Sequence, residues 1–366
     1  MTAINLFPDQ VEFVEKIAHQ MRTSKAILAQ AATGFGKTRC AAHMIDRARR
    51  KGKRAGFVVP RRLLMEQTAE SFDGFDIPFG YFASGYTPNP FEKVQLISSG
   101  TLARRLDKPP RLDLAFIDET QFGGAELERI IMYYRASGAW LVGLSATPKK
   151  MNGKAMGDWY DTMVQGPSIH WLMENNRLSK YRLFAWDTPD LSKLRSGNGD
   201  YVQKDVDSFM MSEDVGKVLV GNAAAQYKKH CAGKLNLSFC TSVENAKMTA
   251  QKFNDAGVPS ACVHGKMDKA ELKKIIMAYA RRELLNLTCA QLLEFGWDLE
   301  QASGMKVTVE SMNDLCPTKS LPRWLQRVGR VVRYKPYPAI MGDHVGNTLI
   351  HGLPDDDRNW SLLGEQ

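Results

Sequence analysis

None of the six cysteines (Cys40, Cys231, Cys240, Cys262, Cys289, Cys316) stands in a C-x-x-C pair. This argues against a zinc cluster and a disulfide framework by spacing, and it points to a reducing cytoplasm. No apolar run approaches the ~20 residues of a membrane span. The opening MTAINLFPDQ lacks the basic-then-apolar order of a secretory signal. No residue-level repeat links the two halves of the chain. Acidic residues are outnumbered, 40 against 49 Lys and Arg, which gives a formal charge of +9. That balance permits a polyanionic partner without identifying one. The PDDD run at 354–357 is acidic, so the positive charge lies elsewhere.

What is present is a 366-residue chain with 44% hydrophobic and 24% charged residues, enough for two ordinary cores. Short β-rich apolar runs fall at 26–30, 55–59, 94–98, 112–117 and 140–144. Helical patterns fall between several of them, as at 11–21 and 37–50. The same order returns later, with strands expected at 235–239, 260–264, 284–288, 306–310 and 339–341. Helices are expected there at 243–256, 269–280 and 320–328. Strands alternating with helices predict two α/β domains, each a mostly parallel sheet flanked by helices. Periodicity weakens over 153–215, where SGNGD reads as a turn. The expected division is a first domain at 1–180, a linker region at 181–215 and a second domain at 216–366.

The stretch AATGFGKT (31–38) joins a predicted strand to a predicted helix, the context that a phosphate-binding loop requires. Gly34 and Gly36 let the backbone approach phosphate oxygens without a Cβ in the way. Backbone N–H groups of Thr33 to Phe35 and the helix start then face the anion. Lys37 can reach the β- and γ-phosphates, and the Thr38 hydroxyl can bind magnesium. A glycine turn before a helix is the bland alternative. In Ile117-Asp118-Glu119-Thr120-Gln121, two acidic residues end an apolar strand. Asp118 suits magnesium and Glu119 suits polarising the attacking water. Gln121 can hydrogen-bond but cannot titrate near neutrality. Ser145-Ala146-Thr147 ends another strand, and Gln326-Arg327-Val328-Gly329-Arg330-Val331-Val332-Arg333 places two arginines three apart. On a helix both would face one side.

Together these stretches resemble motifs I, II, III and VI of helicase superfamily two. The family commonly writes motif I as A-x-x-G-x-G-K-T, with the alanine. The resemblance runs from Phe7 to about Leu363, and the closing segment with CPTKSL at 316–321 is similar to helicases carried by phages and prophages. It implies tandem RecA-like domains with an ATP cleft between them. Lys37, Asp118, Glu119, Gln326, Arg330 and Arg333 would carry catalysis. Gln121, Ser145 and Thr147 would couple the ATP site to the nucleic-acid groove. Glu294 to Asp298 resembles motif V, with Gly296 and Asp298 on the nucleotide. Ala290 stands upstream where relatives often carry serine or threonine, and Thr288 is a candidate substitute. Phe7-Pro8-Asp9-Gln10 resembles the adenine-reading motif, with Gln10 on the base edge and Phe7 packed near it.

The nucleic acid would lie along strand ends. Pro60, Arg61, Arg62 and Gln67 resemble motif Ia, Ser99, Gly100 and Thr101 a following junction, and Thr241 motif IV. His264, Gly265 and Lys266 form a further junction. Each is also an ordinary helix cap read alone. The expected activity is ATP- and magnesium-dependent movement along nucleic acid, DNA before RNA, with no membrane partner. Three alternatives remain: a duplex DNA translocase that does not unwind, an RNA helicase, and a nucleic-acid-binding protein without turnover.

Overall fold

The computed structural model describes residues 4–60, 62–186, 188–290 and 299–363. Two compact units divide at Ser168 and Ile169, and residues 357–366 return to the first.

The first unit runs α1 (Pro8–Gln20), β1 (Ala26–Gln30), α2 (Lys37–Arg50), β2 (Ala55–Val59), α3 (Arg62–Gly74), β3 (Gly80–Phe82) and β4 (Val94–Ser98). It continues with α4 (Ser99–Arg104), β5 (Leu114–Ile117), a 3-10 turn at Thr120–Phe122, α5 (Ala125–Ala136), β6 (Trp140–Ser145) and β7 (Thr162–Gln165). Its seven strands lie in the order β3-β4-β2-β5-β6-β1-β7, and every pairing is parallel. The central strands are buried along their length and almost wholly apolar, as helices on both faces demand. Ile130, Ile131, Tyr134, Trp159 and Tyr160 fill one of those faces. Residues near the C-terminus close the unit: the Gly157 N–H donates to the Leu362 carbonyl at 2.9 Å, and Gln165 Nε2 to the Trp360 carbonyl at 3.1 Å.

The second unit runs α6 (Ile169–Glu174), β8 (Tyr181–Ala185), the small hairpin β9 (Ser196–Gly197) and β10 (Asp200–Tyr201), α7 (Gln203–Met210), α8 (Gly216–His230) and β11 (Asn236–Cys240). It continues with α9 (Val243–Asp255), β12 (Ser260–Val263), α10 (Lys269–Ala280), β13 (Asn286–Ala290), α11 (Leu299–Ser303), β14 (Ser311–Asp314), α12 (Leu321–Val331), β15 (Ala339–Asp343) and α13 (Asn347–His351). Its main sheet is ordered β12-β13-β11-β14-β15-β8, again parallel throughout.

Two expectations are corrected. The units divide before residue 181, and 181–215 is not a linker alone. Tyr181–Ala185 forms β8, which pairs with β15 from Tyr181↔Ala339 to Asp343↔Ala185. It is an edge strand and only partly buried, so its hydropathy signal is weak. The strand expected at 306–310 is instead β14. The β-branched run Val307-Thr308-Val309 precedes it, while β14 reads Ser-Met-Asn-Asp, polar yet buried. Among the described residues, no helix is long and apolar enough to cross a membrane.

Candidate active site

Parallel strands deliver their C-terminal ends to one edge of the sheet, and open α/β sheets bind ligands there. In the first unit, β1, β6 and β5 are adjacent, with Gln30 opposite Ser145 and Ile117 opposite Gly143. The phosphate loop, Ser145-Ala146-Thr147 and Asp118-Glu119 therefore leave the sheet side by side, within about 10 Å across strands. Cross-links hold them there. The Ala31 N–H donates to the Ser145 carbonyl at 3.0 Å, and Gln30 Nε2 to the Ala146 carbonyl at 2.9 Å.

The loop has the backbone that its glycines suggest. Gly34 and Gly36 sit at φ +88° and +96°, a region that side chains disfavour. A Cβ on Gly36 would also stand 2.5 Å from Gln10 Nε2. Lys37 is buried, and its Nζ donates to the carbonyls of Ala31 at 2.9 Å and Ala32 at 3.3 Å. The Thr33 hydroxyl is buried without a hydrogen-bond partner, and Gly34 is exposed. Phe35 instead turns inward, edge-on to Phe13 at 5.2 Å, and anchors the loop to α1. The Thr38 side chain is half-buried at the start of α2.

Gln10 differs from its expected role. Its Nε2 donates to the Phe35 carbonyl at 2.7 Å and its Oε1 accepts from the Phe7 N–H at 3.0 Å. In this state the amide braces the phosphate loop. Phe7 is half exposed beside it.

Burial first and neighbouring Glu119 second raise the Asp118 carboxyl to about 7, against the opposing effect of Lys37. A divalent cation would reverse that shift. The Asp118 carboxylate and Thr38 hydroxyl are hard oxygen ligands of the kind magnesium takes, with phosphates and water completing its shell.

Glu119 sits at φ +46°, a conformation that costs free energy in a non-glycine residue. Its carboxylate accepts from Gln121 Nε2. Gln121 Oε1 accepts from the Ser145 hydroxyl at 2.7 Å, which also touches the Thr147 carbonyl and accepts from the Thr147 N–H at 3.1 Å. Gln121, Ser145 and Thr147 are fully buried. The four residues expected to divide catalysis and coupling thus form one hydrogen-bonded chain. The Thr147 hydroxyl is left buried without a partner.

In the second unit, α12 carries Gln326 and Arg330, both buried. The helix ends at Val331, so Arg333 lies beyond it and is exposed. The one-helix-face expectation is corrected on that point. Arg333 is held by its backbone instead, bridged to Leu178. Arg330 and Arg333 nevertheless line one cavity of about 90 Å³, with Lys306, Glu300 and Tyr334. The sequence reading missed Lys306 and Glu300, which no motif marks. Arg327 is fully buried and donates to Asp314 at 3.0 Å, so it anchors the helix that presents the other two. Gly296 and Asp298 lie outside the described residues.

The expected nucleic-acid residues separate into two kinds. Pro60, Ser99 and Gly100 are half-buried, and Gly265 and Lys266 exposed, all at strand C-terminal ends. Arg61 lies outside the described residues, and Arg62 begins α3. Gln67 lies a turn further along α3, half-buried. Thr101 is buried, and its hydroxyl accepts from the Ser84 N–H at 3.1 Å, so it ties a loop down rather than facing a groove. Thr241 is buried after β11 with its hydroxyl unpartnered. His264 follows β12, with its Nδ1 buried and unpartnered. Thr288 does not replace the missing hydroxyl at Ala290. It is fully buried and donates to the Ala246 carbonyl at 2.7 Å.

Comparison with known proteins agrees with this geometry. Residues 3–150 match the family described as type III restriction enzyme, res subunit, and residues 222–335 match the helicase conserved C-terminal domain. A 51.5 kDa protein of Lactococcus phage (isolate 7-9) is 31% identical over 335 residues, which are 91% of this chain and 68% of that protein. The type I restriction enzyme EcoAI endonuclease subunit of Escherichia coli is 25% identical over 346 residues; the match covers 84% of this chain but 41% of that protein. The fold resembles that of the ATP-dependent type ISP restriction-modification enzyme LlaBIII bound to DNA, with TM-score 0.67 at 14% identity, covering 93% of this chain and 28% of that one. With paired RecA-like sheets, an intact phosphate loop and both domain matches in order, the chain belongs to helicase superfamily two and is an ATP-hydrolysing enzyme of that family.

Proposed function

We propose that this enzyme is a DNA motor that uses ATP hydrolysis to step along a strand, opening duplex where it meets one. The observation that carries the proposal is the buried chain from Glu119 through Gln121 to Ser145 and Thr147. It links the residue that would activate water to the strand end beside the expected nucleic-acid groove. A change at the γ-phosphate then has a short polar route to the track.

In the proposed cycle, backbone N–H groups of the loop and Lys37 hold the β- and γ-phosphates. Thr38 and Asp118 would hold magnesium, which supplies charge neutralisation at the phosphates when bound. Glu119 accepts a proton from the attacking water as oxygen bonds to the γ-phosphorus. The bond from that phosphorus to the bridging oxygen breaks, leaving ADP and phosphate. Arg330 and Arg333 of the second unit stabilise charge on the transferring group, as arginine fingers do. Nucleic acid rests on Pro60, Arg61, Arg62, Ser99 and Gly100 of the first unit and on Gly265 and Lys266 of the second. Such backbone-directed contacts position a strand without reading bases. DNA is favoured because LlaBIII was captured on DNA and the Escherichia coli relative is a restriction endonuclease subunit.

ATP turnover measured alone, then with single-stranded DNA, duplex DNA and RNA, tests the proposal, with Glu119→Gln as control. DNA stimulation that the control abolishes is the expected result. Stimulation by RNA alone assigns the other track, and stimulation by duplex without strand displacement assigns a translocase. Binding without turnover overturns the motor.

A further inference from the structure

One cavity of the first unit is remote from the phosphate loop. Its volume is about 840 Å³, and it lies at the β3 edge of the sheet, under the loop joining β3 to β4. Five strand spacings of ~4.8 Å separate β3 from β1, roughly 24 Å. ATP at the loop does not reach it.

Its lining has an unusual composition. Tyr81 and Tyr86 stack there, with ring centroids 4.6 Å apart and planes 24° from parallel. Arg105, Lys108 and Arg111 line it too, and all three are exposed. Arg54, the fourth cation, is already committed. It donates to the backbone carbonyls of Arg111 and Pro90 at 3.1 and 2.8 Å, so it shapes the wall. No acidic side chain lies among the described lining residues. Phe91 follows Pro90 of the same wall and is 90% exposed, an apolar ring that the core does not use. The N–H of Ser84, also in the lining, donates to the Thr101 hydroxyl in the first turn of α4, directly after Ser99 and Gly100. The cavity is therefore fastened to one of the strand ends expected to carry nucleic acid.

We propose that this cavity is a second nucleic-acid subsite, which takes an unpaired nucleotide of a strand bound to the first unit. Flat aromatic faces and spaced cations match a base and its flanking phosphates, while the one carboxylate bonded to the lining, Glu66, accepts from the Tyr86 hydroxyl at 3.3 Å. Its volume suits a nucleotide. An acidic peptide matches the charge but makes no use of the stacked pair. The inference extends the nucleic-acid reading above to a place that no motif marks.

The test is fluorescence anisotropy on the full chain, with an oligo-dT, an abasic oligomer of equal length and a polyglutamate peptide. Arg105→Glu, Lys108→Glu and Arg111→Glu combined should weaken oligo-dT binding and reduce the slope of log affinity against log salt by about 2. Tyr86→Ala should weaken oligo-dT binding about five-fold or more and leave abasic binding unchanged. Tyr86→Phe keeps the ring and should bind as the wild type does. Turnover without nucleic acid should be the same in all. An unchanged salt slope in the triple variant overturns the subsite. So does equal loss of oligo-dT and abasic binding in Tyr86→Ala, and tighter binding of polyglutamate than of oligo-dT assigns a protein partner instead. If the wild type is stimulated by DNA and the triple variant behaves identically, only the subsite falls. If the wild type binds no nucleic acid, the motor reading falls with it.

Discussion

The two units share a parallel sheet but fill it differently. In the first, β1, β2, β5 and β6 read AILAQ, AGFVV, LAFI and WLVGLS, and their buried positions are almost all apolar. In the second, β11, β13 and β14 read NLSFC, NLTCA and SMND, equally buried. Burying polar groups costs free energy unless they are hydrogen-bonded, and most of these are, Asn313 Nδ2 being an exception. Asn236 Nδ2 and Ser238 Oγ both donate to Asn286 Oδ1, at 2.8 and 2.9 Å. Asn286 Nδ2 donates to Ser260 at 2.8 Å, and Ser311 to Asn236 Oδ1 at 2.8 Å. One network thus crosses β12, β13, β11 and β14. A second joins Asp314 to Arg327 and Asn347. The first sheet holds by area and the second by exact pairing, so single truncations should injure them in different ways.

The sharpest break is at Arg327. Its loss leaves Asp314 buried with its main cationic partner gone, and such changes cost about 3–5 kcal/mol. Arg327→Met is expected to lower the denaturant midpoint of the second unit alone, read by a probe there, with the first unit's transition in place. If both transitions move equally, the units are not separate in stability. Next come two matched truncations. Leu141→Ala in β6 removes apolar volume and should cost about 2–5 kcal/mol in the first unit. Asn286→Ala removes little volume but takes the donor from Ser260 and the shared acceptor from Ser238 and Asn236, which keep their bond to each other, at about 1–3 kcal/mol for a buried unsatisfied group. Replacing Asn236, Ser238, Ser260, Asn286 and Ser311 together with apolar residues should cost less than the sum of their single truncations. The comparison fails if the costs simply add.

This difference also explains what the sequence made legible. The strands at 26–30, 55–59 and 94–98 emerge with their observed limits because their apolar residues are contiguous. β14 does not, because no hydropathy pattern distinguishes Ser-Met-Asn-Asp from a loop. Its burial depends on partners distant in sequence, in β11, α12, α13 and the loop after β15, and the β-branched run before it attracts the strand assignment instead. β8 was hidden by its edge position. At the active site, residue types and spacing pointed to the phosphate loop, and the family resemblance pointed to Glu119, Gln121 and Ser145. Gln10's bond to the Phe35 carbonyl and the end of α12 before Arg333 were not legible, since both depend on where the backbone turns.

A finer test uses pH. Burial raises the Asp314 carboxyl from 3.8 to about 6, with Asp343 adding to the rise and Arg327 opposing it. Its folded form takes up a proton before the unfolded form does, so this group favours folding as pH falls from about 6 towards 4. Burial lowers His344 from 6.5 to about 4, opposed by Asp343. There the unfolded form takes up the proton first, so this group disfavours folding over nearly the same window. The two contributions offset each other. His344→Gln should remove one of them. Its stability relative to wild type is then expected to improve as pH is lowered from 6 to 4, in paired denaturant curves. A flat difference would mean that the histidine is not held neutral by burial.

The smallest expected change in stability is at Ser145, and it separates structure from coupling. Ser145→Ala removes a hydroxyl that bonds Gln121 and Thr147 within an otherwise apolar sheet, at about 1 kcal/mol. The phosphate loop keeps its tie to this residue, because that bond uses the Ser145 carbonyl. ATP binding and turnover without nucleic acid should therefore persist. Stimulation by nucleic acid should fall, because the route from Glu119 to Thr147 is cut at its middle. Basal and stimulated rates measured together give the answer. Equal loss of both would make Ser145 part of the hydrolytic site. Loss of neither would show that the first unit passes the signal by another route, and the buried chain would then be packing of the same kind as the asparagine network in the second sheet.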